Sequence, residues 1–121
     1  MRPPFYDIQE RIHEWAETTF GSANHPYPLY RRIQDELDEL KEELEIHGTQ
    51  QSMHSVRTLE SVRGRVAKEC ADVAITLFRF CGAAGIDLLS EVEKKQDVNE
   101  SRKWVAHGDG TGKHIKHEGG I

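Results

Sequence analysis

The 121-residue sequence is short of three things: it holds two cysteines, no long basic run, and no apolar stretch of membrane-spanning length. Each shortage excludes something. If Cys70 and Cys81 sit on one helix, they lie about 16 Å apart along its axis, too far for a disulfide. They therefore read as reduced core residues of an intracellular protein. With 16 basic against 21 acidic residues, the net charge of −5 argues against a nucleic-acid polymer as partner. It leaves room for a small anion held by a local basic cluster. No segment is long and apolar enough to span a bilayer, so no membrane partner is expected. The start, "MRPPFYDIQE", lacks the apolar core of a signal peptide, and a cytoplasmic location is the expectation.

β-type alternation bounded by hairpin turns is also missing. Helical spacing takes its place and predicts an all-α domain over residues 1–106, with a Gly- and His-rich tail over 107–121. Ile8, Ile12, Trp15 and Thr19 fall on one stripe of a first helix that Gly21 can end. After "GSANHPYPLY", a second helix is predicted from about Pro28, with a stripe of Ile33, Leu37, Leu40 and Leu44 and a stop at Gly48. A third helix is predicted from about Val56 to Ala84, weakened at Gly64. Gly85 and Asp87 supply a stop and an N-cap for a fourth helix reaching about Trp104. The tail "HGDGTGKHIKHEGG" reads as loop or mobile end.

The third helix is apolar nearly all round. Val66, Cys70, Val73, Leu77, Phe80, Cys81 and Ala84 make one face, while Ile75 and Phe78 point elsewhere. Such a helix is central or lies at a subunit interface. The expectation is a four- to five-helix bundle completed by oligomerisation, as a homodimer or homotetramer.

Within that apolar setting the acids stand out. Glu36 and Glu39 line one edge of the second helix's leucine stripe, and Glu69 and Asp72 flank the third helix's stripe on the same side. An acidic helix surface accounts equally well for Glu36 and Glu39 taken alone. Packing the two stripes antiparallel, however, would bring all four carboxylates toward one another. Crowded carboxylates raise one another's pKa unless cations join them, and an all-oxygen set suits Mg²⁺ or Mn²⁺. Di-iron chemistry is not expected, because Glu10 and His13 form the one Glu-x-x-His pair and both face away from the Ile8/Trp15 stripe.

A basic set accompanies the acids. Lys95, Asn99 and Arg102 share a face at i, i+4 and i+7, with Trp104 just beyond. A point charge, an amide and a planar fork suit a polyphosphate. A mixed-charge helix surface is the plainer reading of the same spacing. His114 and His117 have metal-ligand spacing but no fixed third ligand, so zinc is not expected.

The order E-x-x-E, E-x-x-D, K-x-x-x-N-x-x-R-x-W resembles the MazG-like all-α NTP pyrophosphatase superfamily. The motifs are Glu36-Leu-Asp-Glu39, Glu69-Cys-Ala-Asp72, and Lys95 to Trp104. The flanking "EWAETTFG" and "DGTGKHIK" resemble its phage and prophage dATP/dGTP diphosphohydrolase branch. The gap between the two acidic motifs lies at the long edge for the family.

The resemblance implies a nucleotide hydrolase that turns a nucleoside triphosphate into monophosphate and pyrophosphate, with purine deoxynucleotides preferred. It implies Glu36, Glu39, Glu69 and Asp72 as ligands of two or more Mg²⁺ ions, with Mn²⁺ able to substitute. Glu39 and Glu69 would serve catalysis, and Lys95, Asn99, Arg102, Trp104 and Trp15 would bind substrate. It also places the protein in bacterial or phage-infected host cytoplasm. The same chemistry on dCTP, dUTP or a damaged nucleotide, and a non-catalytic nucleotide-binding oligomer, are the competing readings.

Overall fold

The computed structural model describes residues 7–46 and 52–116. Gly48 and His117 lie outside them. Among the described residues, five helices and one short hairpin form two compact units, one up to Ile86 and one from Asp87. In the first unit, helices α1 (Asp7–Phe20), α2 (Pro26–Ile46) and α3 (Met53–Thr58) all pack against α4 (Glu60–Ala84). The all-helical reading holds for this unit, and α4 is its central element.

The helix ends follow local chemistry. Gly21, at φ 88°, donates its N–H to Glu17 O and ends α1. α2 starts at Pro26, two residues earlier than expected. Both Pro26 and Pro28 fit its first turn, where backbone N–H groups have no helical acceptor. Gly85 closes α4 in the left-handed region at φ 73°, with Ile86 N–H reaching back to Cys81 O at 2.8 Å.

The long third helix predicted from sequence is two helices. The break falls at Leu59, not at Gly64. Leu59 is extended (φ −88°, ψ 103°), caps α3 through its N–H to Ser55 O, and leads directly into α4. Gly64 sits inside an unbroken helix, because one glycine costs a helix only about 1 kcal/mol.

The core is small. Val56, Val62 and Val66 are buried together against Leu40 and Leu44, and Ile12, Ala16 and Cys81 complete the buried apolar set among the described residues. The buried line of α1 is thus Ile12 and Ala16; Trp15 and Thr19 face solvent. His13 is half-buried and lies against α4 at Gly82, where an added Cβ would stand 3.1 Å from the imidazole. Cys70, expected in the core, is exposed, whereas Cys81 is buried.

The second unit contains α5 (Leu88–Ser101), β1 (Trp104–Ala106) and β2 (Gly112–His114). Asp87 caps α5 by accepting from Ser90 N–H at 3.2 Å, as its position predicts. The helix stops at Ser101 rather than near Trp104, and Arg102 is its extended C-cap. β1 and β2 pair antiparallel with Trp104 opposite His114, so part of the expected loop is a strand. Gly108 and Gly110 take positive φ in the turn, and Asp109 accepts from Thr111 N–H at 2.9 Å. A side chain at Gly112 would collide with Val105 O.

Candidate metal centre

α2 and α4 run antiparallel, as their contacts show. Leu40 and Leu44 meet Val62 and Val66 at one end, while Leu29 and Phe80 share a pocket at the other. Between these ends, Glu36 on α2 faces Glu69 and Asp72 on α4. One carboxylate oxygen from each lies within 4.8 Å of the other two. The antiparallel packing expected from the two stripes thus brings three of the four proposed ligands together.

Glu36 is the buried residue of α2, at 6% exposure, whereas Leu37 is 47% exposed. The helix spends its deepest position on a carboxylate. Its Oε1 accepts from Arg32 Nη2 at 2.6 Å, while the same guanidinium reaches Asp35 Oδ2 through Nη1 at 3.3 Å. Glu36 Oε2 and Glu69 Oε2 are buried with no hydrogen-bond partner among the described residues. Leaving such oxygens unmatched is costly.

Charge crowding shows in the proton affinities. When protonated, Glu36 would share its proton with Glu39; that, then burial and the Glu39 charge, raises the Glu36 pKa to about 6. Arg32 opposes the rise. Glu69 is also raised, first by burial and then by the charges of Glu39, Asp72 and Glu43. Glu39, the fourth proposed ligand, is exposed and adjoins the cluster through both of these interactions. Cation binding would relieve the repulsion, and oxygen donors at this density suit a hard divalent ion.

Of the remaining proposed site residues, Trp15 belongs to the first unit and Lys95, Asn99, Arg102 and Trp104 to the second. Trp15 is 56% exposed on α1, edge-on to Phe20 with ring centres 5.2 Å apart. In the second unit Lys95 is exposed on α5. Asn99 accepts Trp104 Nε1–H on its backbone oxygen at 2.7 Å. Arg102 has left the helix, so it does not continue the Lys95/Asn99 face at helical spacing. Trp104 sits 5.7 Å from the His114 ring across the hairpin.

Two features escaped the sequence reading. Arg32, four residues before Glu36, signals its partnership only by the i, i+4 spacing. Arg79 is buried on α4 and bonds Glu17 Oε2 at 2.6 Å and Gly21 O at 3.1 Å. It holds the end of α1 beside a pocket of about 230 Å³ walled by Asn24, His25, Leu29 and Phe80. Leu29 lies two turns from Glu36 on the same side of α2, about 10 Å along the axis. Leu29 of the pocket and Glu36 of the cluster therefore share one face of α2.

Comparison with known proteins gives one informative likeness. Over 109 residues, 90% of this chain, the sequence is 33% identical to a dATP/dGTP diphosphohydrolase of Salmonella phage PMBT28. The chain spans 31% of that relative's length. No family model and no solved structure matches.

Proposed function

We propose that the chain is a Mg²⁺-dependent nucleoside triphosphate pyrophosphohydrolase of the MazG-like type, releasing a nucleoside monophosphate and pyrophosphate. The observation that carries this reading is the meeting of Glu36, Glu69 and Asp72 oxygens within 4.8 Å, two of these residues carrying buried, unpartnered oxygens. The phage relative's name supports a nucleotide substrate, with purine deoxynucleotides favoured.

In this mechanism Glu36, Glu69 and Asp72 would hold the ions, with exposed Glu39 beside them as a further ligand. Bound Mg²⁺ would polarise phosphoryl oxygens and ease deprotonation of an attacking water. Glu39, exposed and outside the three-oxygen cluster, is the carboxylate assigned to accept that water's proton. Lys95, Asn99 and Arg102 are assigned to the phosphates and leaving group by their donor chemistry. The pocket would take the remainder of a nucleotide: Leu29 in its wall stands about 10 Å along α2 from Glu36, and Phe80 offers an aromatic face for a base. Trp15 and Trp104 are further exposed aromatic faces for that role.

The assembly is proposed as a homodimer or homotetramer. Trp15, Phe20, Tyr27, Ile75 and Leu77 are all exposed, and such apolar area is characteristic of an interface.

The test is product analysis by anion exchange after incubation with each dNTP and NTP, with Mg²⁺, with Mn²⁺ and with EDTA. Metal-dependent monophosphate formation, fastest with dGTP or dATP, is expected. Failure to turn over any nucleotide, by folded protein that binds metal, would remove the hydrolase reading.

A further inference from the structure

We propose that Arg32 is a positioning residue that seats Glu36 as a metal ligand, an inference resting on the carboxylate cluster being a metal centre. In an ordinary helix-surface pair both partners are exposed, held loosely and screened by water. Here the guanidinium side chain is 58% exposed, but the carboxylate it holds is 8% exposed. The bond to that carboxylate, at 2.6 Å, is shorter than the 3.3 Å bond to exposed Asp35. The two oxygens of Glu36 consequently differ: Oε1 is taken by Arg32, and Oε2 is buried without a partner.

That division is what a one-oxygen ligand requires. A carboxylate free to rotate could turn either oxygen toward Glu69 and Asp72, or share both. A guanidinium on Oε1 fixes the carboxylate plane and leaves Oε2 as the free donor. Arginine suits the task because its planar fork spans Asp35 and Glu36 at once through Nη1 and Nη2. Residues that orient a ligand in this way commonly contribute 10- to 100-fold to metal affinity.

The experiment is Mn²⁺ titration of the full chain, followed by the free-ion electron paramagnetic resonance signal and by calorimetry. Arg32→Gln is expected to weaken Mn²⁺ binding about 10- to 100-fold while far-ultraviolet circular dichroism stays unchanged. Arg32→Lys, which keeps one charge but no fork, should recover part of the loss and carries the test if the glutamine variant fails to fold. Asp35→Asn should bind as the wild type does. Glu69→Gln is the control for the centre itself. If Glu69→Gln loses Mn²⁺ while Arg32→Gln binds normally or more tightly, Arg32 has no seating role. If Glu69→Gln also binds normally, the metal centre is wrong and the role of Arg32 falls with it.

Discussion

Arg79 of α4 donates to the Glu17 carboxylate of α1 at 2.6 Å, and its second nitrogen reaches Gly21 O at 3.1 Å. One buried side chain therefore joins two helices and also caps the carbonyl end of α1. Ser22 Oγ donates to the other Glu17 oxygen at 2.7 Å, so both carboxylate oxygens are held.

Removing Arg79 would strand Glu17 and leave the α1 terminus without its donor. Arg79→Ala is expected to lower the melting temperature by about 10 °C, measured by circular dichroism at pH 7. The pH dependence has a definite sign. Ser22 and then Arg79 hold the Glu17 pKa below its usual value, so the stabilisation is present above about pH 4.5 and is lost as pH falls through the lower folded-state value. The Arg79→Ala variant should show less acid sensitivity than the parent.

Glu36 works in the opposite direction. Its pKa rises to about 6 in the folded chain, because the protonated form can bond to Glu39 and because of burial. Between about pH 4.5 and 6 the folded state keeps a proton that the unfolded state releases, so this group's contribution to stability declines as pH rises through that window. Metal-free protein should accordingly lose melting temperature from pH 4.5 to 7 at this site. Mg²⁺ should restore it above pH 6 and do little at pH 4.5, where protonated carboxylates bind metal poorly. Equal stabilisation by Mg²⁺ at both pH values would count against the carboxylate centre.

Glu69→Gln separates charge from shape. The amide keeps the volume but removes a charge raised in proton affinity by burial and by three neighbouring acids. Turnover should fall at least about a hundredfold, while metal-free stability at pH 7.5 should rise through relief of repulsion. Asp38→Asn and Glu45→Gln, at exposed positions, should leave both quantities within experimental error. A loss of activity from these two equal to that from Glu69 would point to general acidity rather than a site.

The carboxylate pairing was legible because it depends on period alone: Glu36 with Glu39, and Glu69 with Asp72, flank their stripes at three-residue spacing. Depth was not legible. A helical wheel places Glu36 beside the leucines, but only the course of α4 makes it more buried than Leu37. Arg79 was hidden for a similar reason, since its partner Glu17 lies 62 residues away. The α3/α4 break turns on the extended backbone at Leu59, which competes with the propensity signal at Gly64. The hairpin has three-residue strands, too short for alternation to register, and is set by glycine φ angles and the Asp109 turn.

The pocket at the start of α2 is where the proposed substrate's base would be read. Phe80 lines the pocket with Asn24, His25 and Leu29, and Leu29 stands about 10 Å along α2 from Glu36. A base stacked on an aromatic ring gains about 1–3 kcal/mol. Because the pocket is remote from the reacting phosphates, that interaction is the same in ground and transition states. Phe80→Ala should therefore raise KM about 5- to 150-fold with kcat nearly unchanged, measured by steady-state kinetics on the preferred dNTP. Asn24 and His25 offer polar edges instead of a face, so Asn24→Ala should change the ratio of kcat/KM between purine and pyrimidine nucleotides more than it changes either KM. If Phe80→Ala lowers kcat and leaves KM alone, the pocket serves the position of α4 and its carboxylates, and the base binds elsewhere.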